Sequence, residues 1–157
     1  MEQLSLPPFG IKLAGTRERP LVLDTLRRKW VALTPEEWVR QHFVNYLSAR
    51  LGYPAGVLAN EVGLTVGGKR LRADTVVYAA GRQPLMVVEY KAPGVGVGAA
   101  TLEQASAYGR QLGVEYLAAT NGRQLFCCKL DTETGRYSPI PRLPSYGELR
   151  RGAVHNP

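Results

Sequence analysis

The sequence predicts an α/β fold with a mixed, mainly five-stranded sheet flanked by helices, and three observations predict it. A capped helical pattern begins at Thr34, strand-like runs follow between Glu61 and Lys91, and a second helical stretch from about Ala99 to Leu112 precedes two more strand-like runs. At 157 residues, the chain is long enough for one domain with its own core. We therefore divide it into a basic N-terminal arm (1–33), a central domain (34–135) and a proline-rich C-terminal tail (136–157), all within a single domain overall.

Residues 1–33 read as irregular, because Pro7-Pro8, Gly10, Gly15 and Pro20 interrupt any long period, although Leu21-Val22-Leu23-Asp24 suits a short strand. Arg17, Arg19, Arg27, Arg28 and Lys29 make this arm basic, which fits either a solvated surface or a phosphate contact. Thr34-Pro35-Glu36-Glu37 then combines an N-cap hydroxyl, a proline at the first helical position and a glutamate at the third, which is a capping box. Val39, Phe43 and Leu47 continue as an apolar stripe up to Gly52-Tyr53-Pro54. Capping accounts for Glu37 without a further role, and His42 reads as structural.

Glu61 to Val66 alternates like a half-buried strand, and Gly67-Gly68 marks a hairpin into Lys69-Arg70-Leu71-Arg72 and the strand Asp74 to Tyr78. A second turn-rich connection, 79–84, leads to Leu85-Met86-Val87-Val88-Glu89-Tyr90-Lys91, an apolar strand with two opposite charges at its end. Alternation puts Val87, Glu89 and Lys91 on one face, with the two charged residues about 7 Å apart along the strand. If the hairpin is symmetric about Gly81 and Arg82, Asp74 lies directly across from Glu89, with Cβ atoms about 4.5–5.5 Å apart. Two carboxylates and a lysine then meet, and like charges directly opposed call for a counter-ion such as a divalent cation. The competing reading is a surface Glu-Lys pair, since a one-residue slip in register reverses the faces.

The glycine-rich stretch Pro93 to Gly98 has G-x-G spacing but no P-loop lysine, and reads as a connection into the second helix. On that helix Gln104 and Tyr108, four residues apart, share a face. Tyr116 to Thr120 reads as a buried strand, and Asn121-Gly122 as a hairpin before Gln124 to Leu130. Beyond Asp131, Pro139, Pro141 and Pro144 suggest an extended tail. Cys127 and Cys128, adjacent in a strand, would face opposite ways as buried thiols and form neither a disulfide nor a zinc site.

Composition bounds the function. Twenty Lys and Arg against thirteen Asp and Glu give a net charge of +7 and a pI near 9.7, a balance that favours a polyanionic partner. No apolar run is long enough to span a bilayer, and the first residues lack the basic start and apolar stretch of a signal peptide; both point to a cytoplasmic protein without membrane association.

The order of elements, with Asp74, then Glu89-Tyr90-Lys91, then Gln104-x-x-x-Tyr108, resembles the PD-(D/E)XK nuclease superfamily, and within it the N-terminal nuclease domain of type I restriction enzyme R subunits. The similarity spans roughly residues 34–130, and Ala73 stands where the name-giving proline would be. The resemblance implies a restriction-endonuclease-like core and a metal-dependent DNA endonuclease or phosphodiesterase activity. By it, Asp74, Glu89 and Lys91 are catalytic, and Asp74, Glu89, the Tyr90 backbone carbonyl and more loosely Glu37 are ligands of Mg²⁺ or Mn²⁺. Gln104, Tyr108 and Arg72 would contact substrate. DNA is the implied partner, in a homodimer or within a larger restriction or defence complex. The alternative is a non-catalytic nucleic-acid-binding or interaction module on the same fold, since fold alone does not carry function.

Overall fold

The computed structural model describes residues 1–154. Three short antiparallel strands open the chain: β1 (Leu13–Gly15), β2 (Pro20–Asp24) and β3 (Lys29–Ala32). The basic arm is thus a small sheet and not an irregular segment, and the strand anticipated at Leu21 to Asp24 is its central member. Helix α1 (Pro35–Arg50) starts with the expected Thr34 cap, whose hydroxyl accepts from the Glu37 N–H at 3.0 Å. The reciprocal half of the capping box does not form: the Thr34 N–H donates to the Ala32 carbonyl, and the Glu37 carboxylate pairs with arginines instead. The α1 stripe of Val39, Phe43 and Leu47 is fully buried.

After a short 3₁₀ turn (Ala55–Val57), the main sheet begins with β4 (Leu58–Val66) and β5 (Lys69–Tyr78). Gly67 and Gly68 connect them, both at positive φ (57° and 79°), which a two-residue turn matching the twist of the strands requires. Strand β6 (Pro84–Tyr90) pairs antiparallel with β5, and α2 (Ala99–Leu112) then crosses over to β7 (Tyr116–Thr120), which lies parallel to β6. Both central strands are covered on both faces, hence their nearly unbroken apolar sequence. Strands β8 (Leu125–Asp131) and β9 (Arg136–Ile140) complete a six-stranded mixed sheet whose members pair in chain order, and α3 (Tyr146–Val154) follows.

The sheet separates two apolar layers. Val77, Met86, Val88, Tyr116, Ala118 and Cys127 pack with α1 and α3 on one face, while Val76, Val87, Leu117 and Cys128 pack with Ala105 and Tyr108 of α2 on the other. Consecutive residues divide between the layers, as strand pleating demands. The two cysteines are accordingly free, buried and on opposite faces. Among the described residues, no helix is long and apolar enough to cross a membrane.

The tail differs from the sequence expectation. Residues 136–140 form the sixth strand, with Pro139 accommodated because β9 is an edge strand. Leu143, Tyr146 and Leu149 of the following segment are buried, and the Tyr53 hydroxyl donates to the Pro144 carbonyl at 2.7 Å. Proline spacing signalled an extended chain, but apolar residues between and after the prolines tie it to the core.

Candidate active site

The β5–β6 register is the foundation of the site. Thr75 faces Val88, Val76 faces Val87 and Val77 faces Met86, so the same count sets Asp74 opposite Glu89; the slip in register falls beyond, at Tyr78. The two carboxylates lock each other's strands through the backbone. The Tyr90 N–H donates to Asp74 Oδ2 at 2.9 Å, and the Asp74 N–H donates to Glu89 Oε1 at 3.3 Å.

Together with Lys91, these residues line a half-open cleft of about 280 Å³ whose other walls are Glu36, Arg40, Glu61, Tyr90 and Gln104. Glu89 is 3% exposed. Burial, and then the Asp74 carboxylate beside it, push its carboxyl well above the ordinary carboxylate range. Lys91 forms no ion pair among the described residues. The cleft therefore holds two carboxyl groups that repel each other and an ammonium that is not spent on either.

Tyr90 lines the cleft and gives its N–H to Asp74, while its side chain is held in the α1 layer. Its hydroxyl lies 2.9 Å from Thr75 Oγ1, and its ring packs against Phe43. Gln104 is exposed on α2 and lines the cleft, whereas Tyr108 is buried in the α2 layer and reaches the site only by accepting a 3.1 Å hydrogen bond from Gln104 Nε2. Arg72 is exposed on β5, two residues before Asp74, and does not line the cleft. Glu37 does not line it either. Its Oε1 accepts from Arg27 at 2.8 Å, and its Oε2 from Arg40 at 2.8 Å and Gln41 at 3.1 Å, so this carboxylate is consumed by structural pairing.

Three wall residues, Glu36, Arg40 and Glu61, escaped the sequence reading as parts of a site, and two of them are built into the fold by specific contacts. Glu61 stands on the β4 rung next to Asp74: the pairs Asn60 with Thr75 and Val62 with Ala73 bracket it, and the rung between is missing because Glu61 adopts φ of 57°. A non-glycine residue there carries backbone strain on the order of 1–3 kcal/mol. The Gly67-Gly68 turn already fixes this register, so applying to it the symmetry count used for the other hairpin would have found Glu61. Arg40 sits on α1 three residues after Glu37, in the same buried stripe as Val44 and Leu47. It donates to Glu61 Oε1 at 2.6 Å and to the Asp74 carbonyl at 2.7 Å. A lone arginine inside a helical apolar stripe was the available signal.

Glu61, Asp74 and Glu89 thus occupy one row across three strands, but Arg40 draws Glu61 aside. Among the described residues, no three His, Cys, Asp or Glu side chains converge closely enough to enclose an ion. The donor chemistry still fits a hard cation: each of the two opposed carboxyl groups gives one oxygen to a backbone N–H and has a second facing its neighbour, and Mg²⁺ retains several waters in sites with one or two carboxylates.

A mixed sheet with helices on both faces and a paired-carboxylate cleft at the end of its β5–β6 hairpin defines a restriction-endonuclease-like α/β fold. The sequence model described as type I restriction enzyme R protein N terminus matches residues 35–144, and the chain belongs to that family. Among solved structures, the chain is similar to a fragment from Vibrio vulnificus YJ016 described as an HsdR subunit of a type I restriction enzyme. The two share 24% identity and superpose with a TM-score of 0.59 over 78% of this chain. The match spans 25% of that fragment, so the present chain corresponds to a quarter of its length. Comparison with curated proteins returned no match.

Proposed function

We propose that this domain is a metal-dependent nuclease acting on DNA through Asp74, Glu89 and Lys91. The observation that carries the reading is the cleft itself, where two carboxyl groups meet across neighbouring strands and a lysine enters without a partner. Burying such a group of charges is costly unless a ligand compensates it.

In this reading Asp74, Glu89 and the Tyr90 carbonyl hold Mg²⁺ or Mn²⁺. The cation would polarise a phosphoryl oxygen and lower the pKa of a bound water. Glu89 must release the proton that its burial favours before it can act as a ligand. Lys91, two residues further along the same face, stabilises the negative charge that develops on the phosphate and orients the attacking water. Gln104 positions the substrate strand at the rim of the cleft. A homodimer, or a larger restriction or defence complex, would supply a second site or the machinery to bring DNA to this one.

Hydrolysis of plasmid DNA with Mg²⁺ or Mn²⁺ tests the proposal. Activity should disappear in Asp74→Ala and Lys91→Ala; activity that survives both rules out the assigned site. No cation uptake by calorimetry, no hydrolysis and salt-sensitive DNA binding would instead identify a non-catalytic binding module.

A further inference from the structure

The β4–β5 hairpin extends past the cleft and carries a second concavity on the same strand pair. This half-open trough of about 520 Å³ is lined by Gly63, Leu64, Thr65, Arg70, Leu71 and Arg72. Its register connects it to the cleft: Gly63 pairs with Arg72 and Thr65 with Arg70, on the alternate rungs that follow Glu61 and Asp74. At about 3.4 Å per residue, Arg72 lies about 7 Å and Arg70 about 14 Å beyond Asp74 along β5.

Charge and shape in the trough agree. No acidic residue occurs between Glu61 and Asp74, while Lys69, Arg70 and Arg72 are all exposed. None of the three forms an ion pair among the described residues. Opposite Arg72 the floor is bare, because Gly63 has no side chain and a Cβ built there would meet nothing within 4 Å. Packing therefore does not explain the glycine, and it leaves room beside the guanidinium.

We propose that this trough is a track for the phosphodiester backbone of duplex DNA flanking the cleft, with Arg72 and Arg70 contacting successive phosphates outward from the scissile position. The inference rests on the nuclease reading and extends it, since it assigns the DNA footprint to the β4–β5 hairpin. Arginine matches phosphate oxygens with a planar fork of donors. A two-stranded β ribbon is also slim enough to enter the major groove of B-DNA. Contacts of this kind fix register on the duplex and carry no sequence preference of their own.

The test measures binding of a labelled DNA duplex by fluorescence anisotropy across a salt series, with Ca²⁺ replacing Mg²⁺ to prevent cleavage. Arg70→Ala combined with Arg72→Ala should weaken binding on the order of tenfold and reduce the slope of log K against log salt by about 1.8, or 0.9 for each lost phosphate contact. Gly63→Glu, which places a carboxylate beside Arg72 in open space, should weaken binding with no fall in melting temperature, and Gly63→Lys should tighten it. Wild-type affinity and slope in the double variant and in Gly63→Glu would overturn the track, as would tighter binding of duplex RNA through the same arginines. Hydrolysis of bis(p-nitrophenyl) phosphate with Mn²⁺ separates the two readings. Wild type that cleaves this ester in an Asp74-dependent way and binds DNA just as tightly without Arg70 and Arg72 overturns the track alone; wild type that neither cleaves the ester nor binds DNA overturns the nuclease reading as well.

Discussion

Two clusters of charged side chains lie on opposite faces of the same strands, and they are built by opposite rules. On the α1 face every group is paired. Asn60 donates to Asp24 at 3.0 Å, Thr75 donates to Asn60 at 2.7 Å, and because the Thr75 hydroxyl has a single proton it must accept from Tyr90. Arg27 joins Asp24 to Glu37, and Arg40 joins Glu37 to Glu61 and the Asp74 carbonyl. Burial works against ionisation of Asp24, but the Arg27 N–H, the Asn60 amide and the Arg27 guanidinium hold its carboxyl below the ordinary range. On the α2 face, Asp74 and Glu89 oppose each other and Lys91 stands apart. The first cluster is a closed scaffold, and the second is left open for a ligand. Arg40 links them, since it holds the carbonyl of the residue whose side chain enters the cleft.

The largest effect should follow from breaking the closed cluster. Arg40→Met takes one of three partners from the buried Glu37 carboxylate and leaves the half-buried Glu61 and the Asp74 carbonyl without their donor, which should cost roughly 3 kcal/mol. Urea denaturation measures this directly. A loss under about 1 kcal/mol would mean that the paired cluster is no scaffold.

The open cluster should respond in the opposite sense. Lys91→Ala is expected to reduce cation-dependent hydrolysis by about 10²–10³-fold, the scale of losing one donor to developing charge. Its melting temperature should not fall, because the side chain forms no ion pair to lose. A destabilisation comparable to Arg40→Met would erase the distinction between the clusters.

Glu89 sharpens the contrast through pH. Its folded carboxyl holds a proton more tightly than the ordinary value of 4.5, so the folded state binds more protons than the unfolded state once pH exceeds that value. Stability is then present in full below pH 4.5 and is lost as pH rises toward the folded value, at no more than roughly 1.4 kcal/mol per pH unit. Glu89→Gln removes the ionisation. In EDTA, the variant should match wild type near pH 5 and melt higher at pH 8; equal pH profiles for the two proteins would show that Glu89 is not held protonated.

The open cluster was far more legible in the sequence than the closed one, and the reason is distance along the chain. Asp74, Glu89 and Lys91 lie on one hairpin, where strand alternation and turn symmetry suffice to bring them together. Asp24, Arg27, Glu37 and Arg40 come from β2, the turn after it and α1, whose packing against the Asn60–Thr75 rung of the β4–β5 hairpin no local pattern encodes. The arm before α1 suits a solvated surface or a phosphate contact in sequence because its arginines are conspicuous, yet Val22 and Asp24 within it are fully buried. The tail was misjudged similarly, because proline spacing is visible in sequence and the docking of Leu149 is not.

The smallest effect should come from Gln104 and Tyr108, whose arrangement departs most from the sequence expectation. The two were expected to share a face and reach the site together; instead the exposed amide stands at the cleft and the buried phenol stands behind it. On the proposed reading Tyr108 would act as a positioning residue, because its hydroxyl accepts from Gln104 without lining the cleft. Gln104→Ala should weaken DNA binding or raise KM by a factor of several, the value of about 1 kcal/mol for one hydrogen bond to substrate. It should leave the melting temperature unchanged, because an exposed side chain with one partner contributes little to folding. Tyr108→Phe keeps the packed ring and removes only the acceptor, so it should reproduce part of the Gln104→Ala effect and add nothing in the double variant. If Tyr108→Phe leaves KM untouched while Gln104→Ala raises it, the hydroxyl does not position the amide. Full additivity of the two effects would show that they act separately.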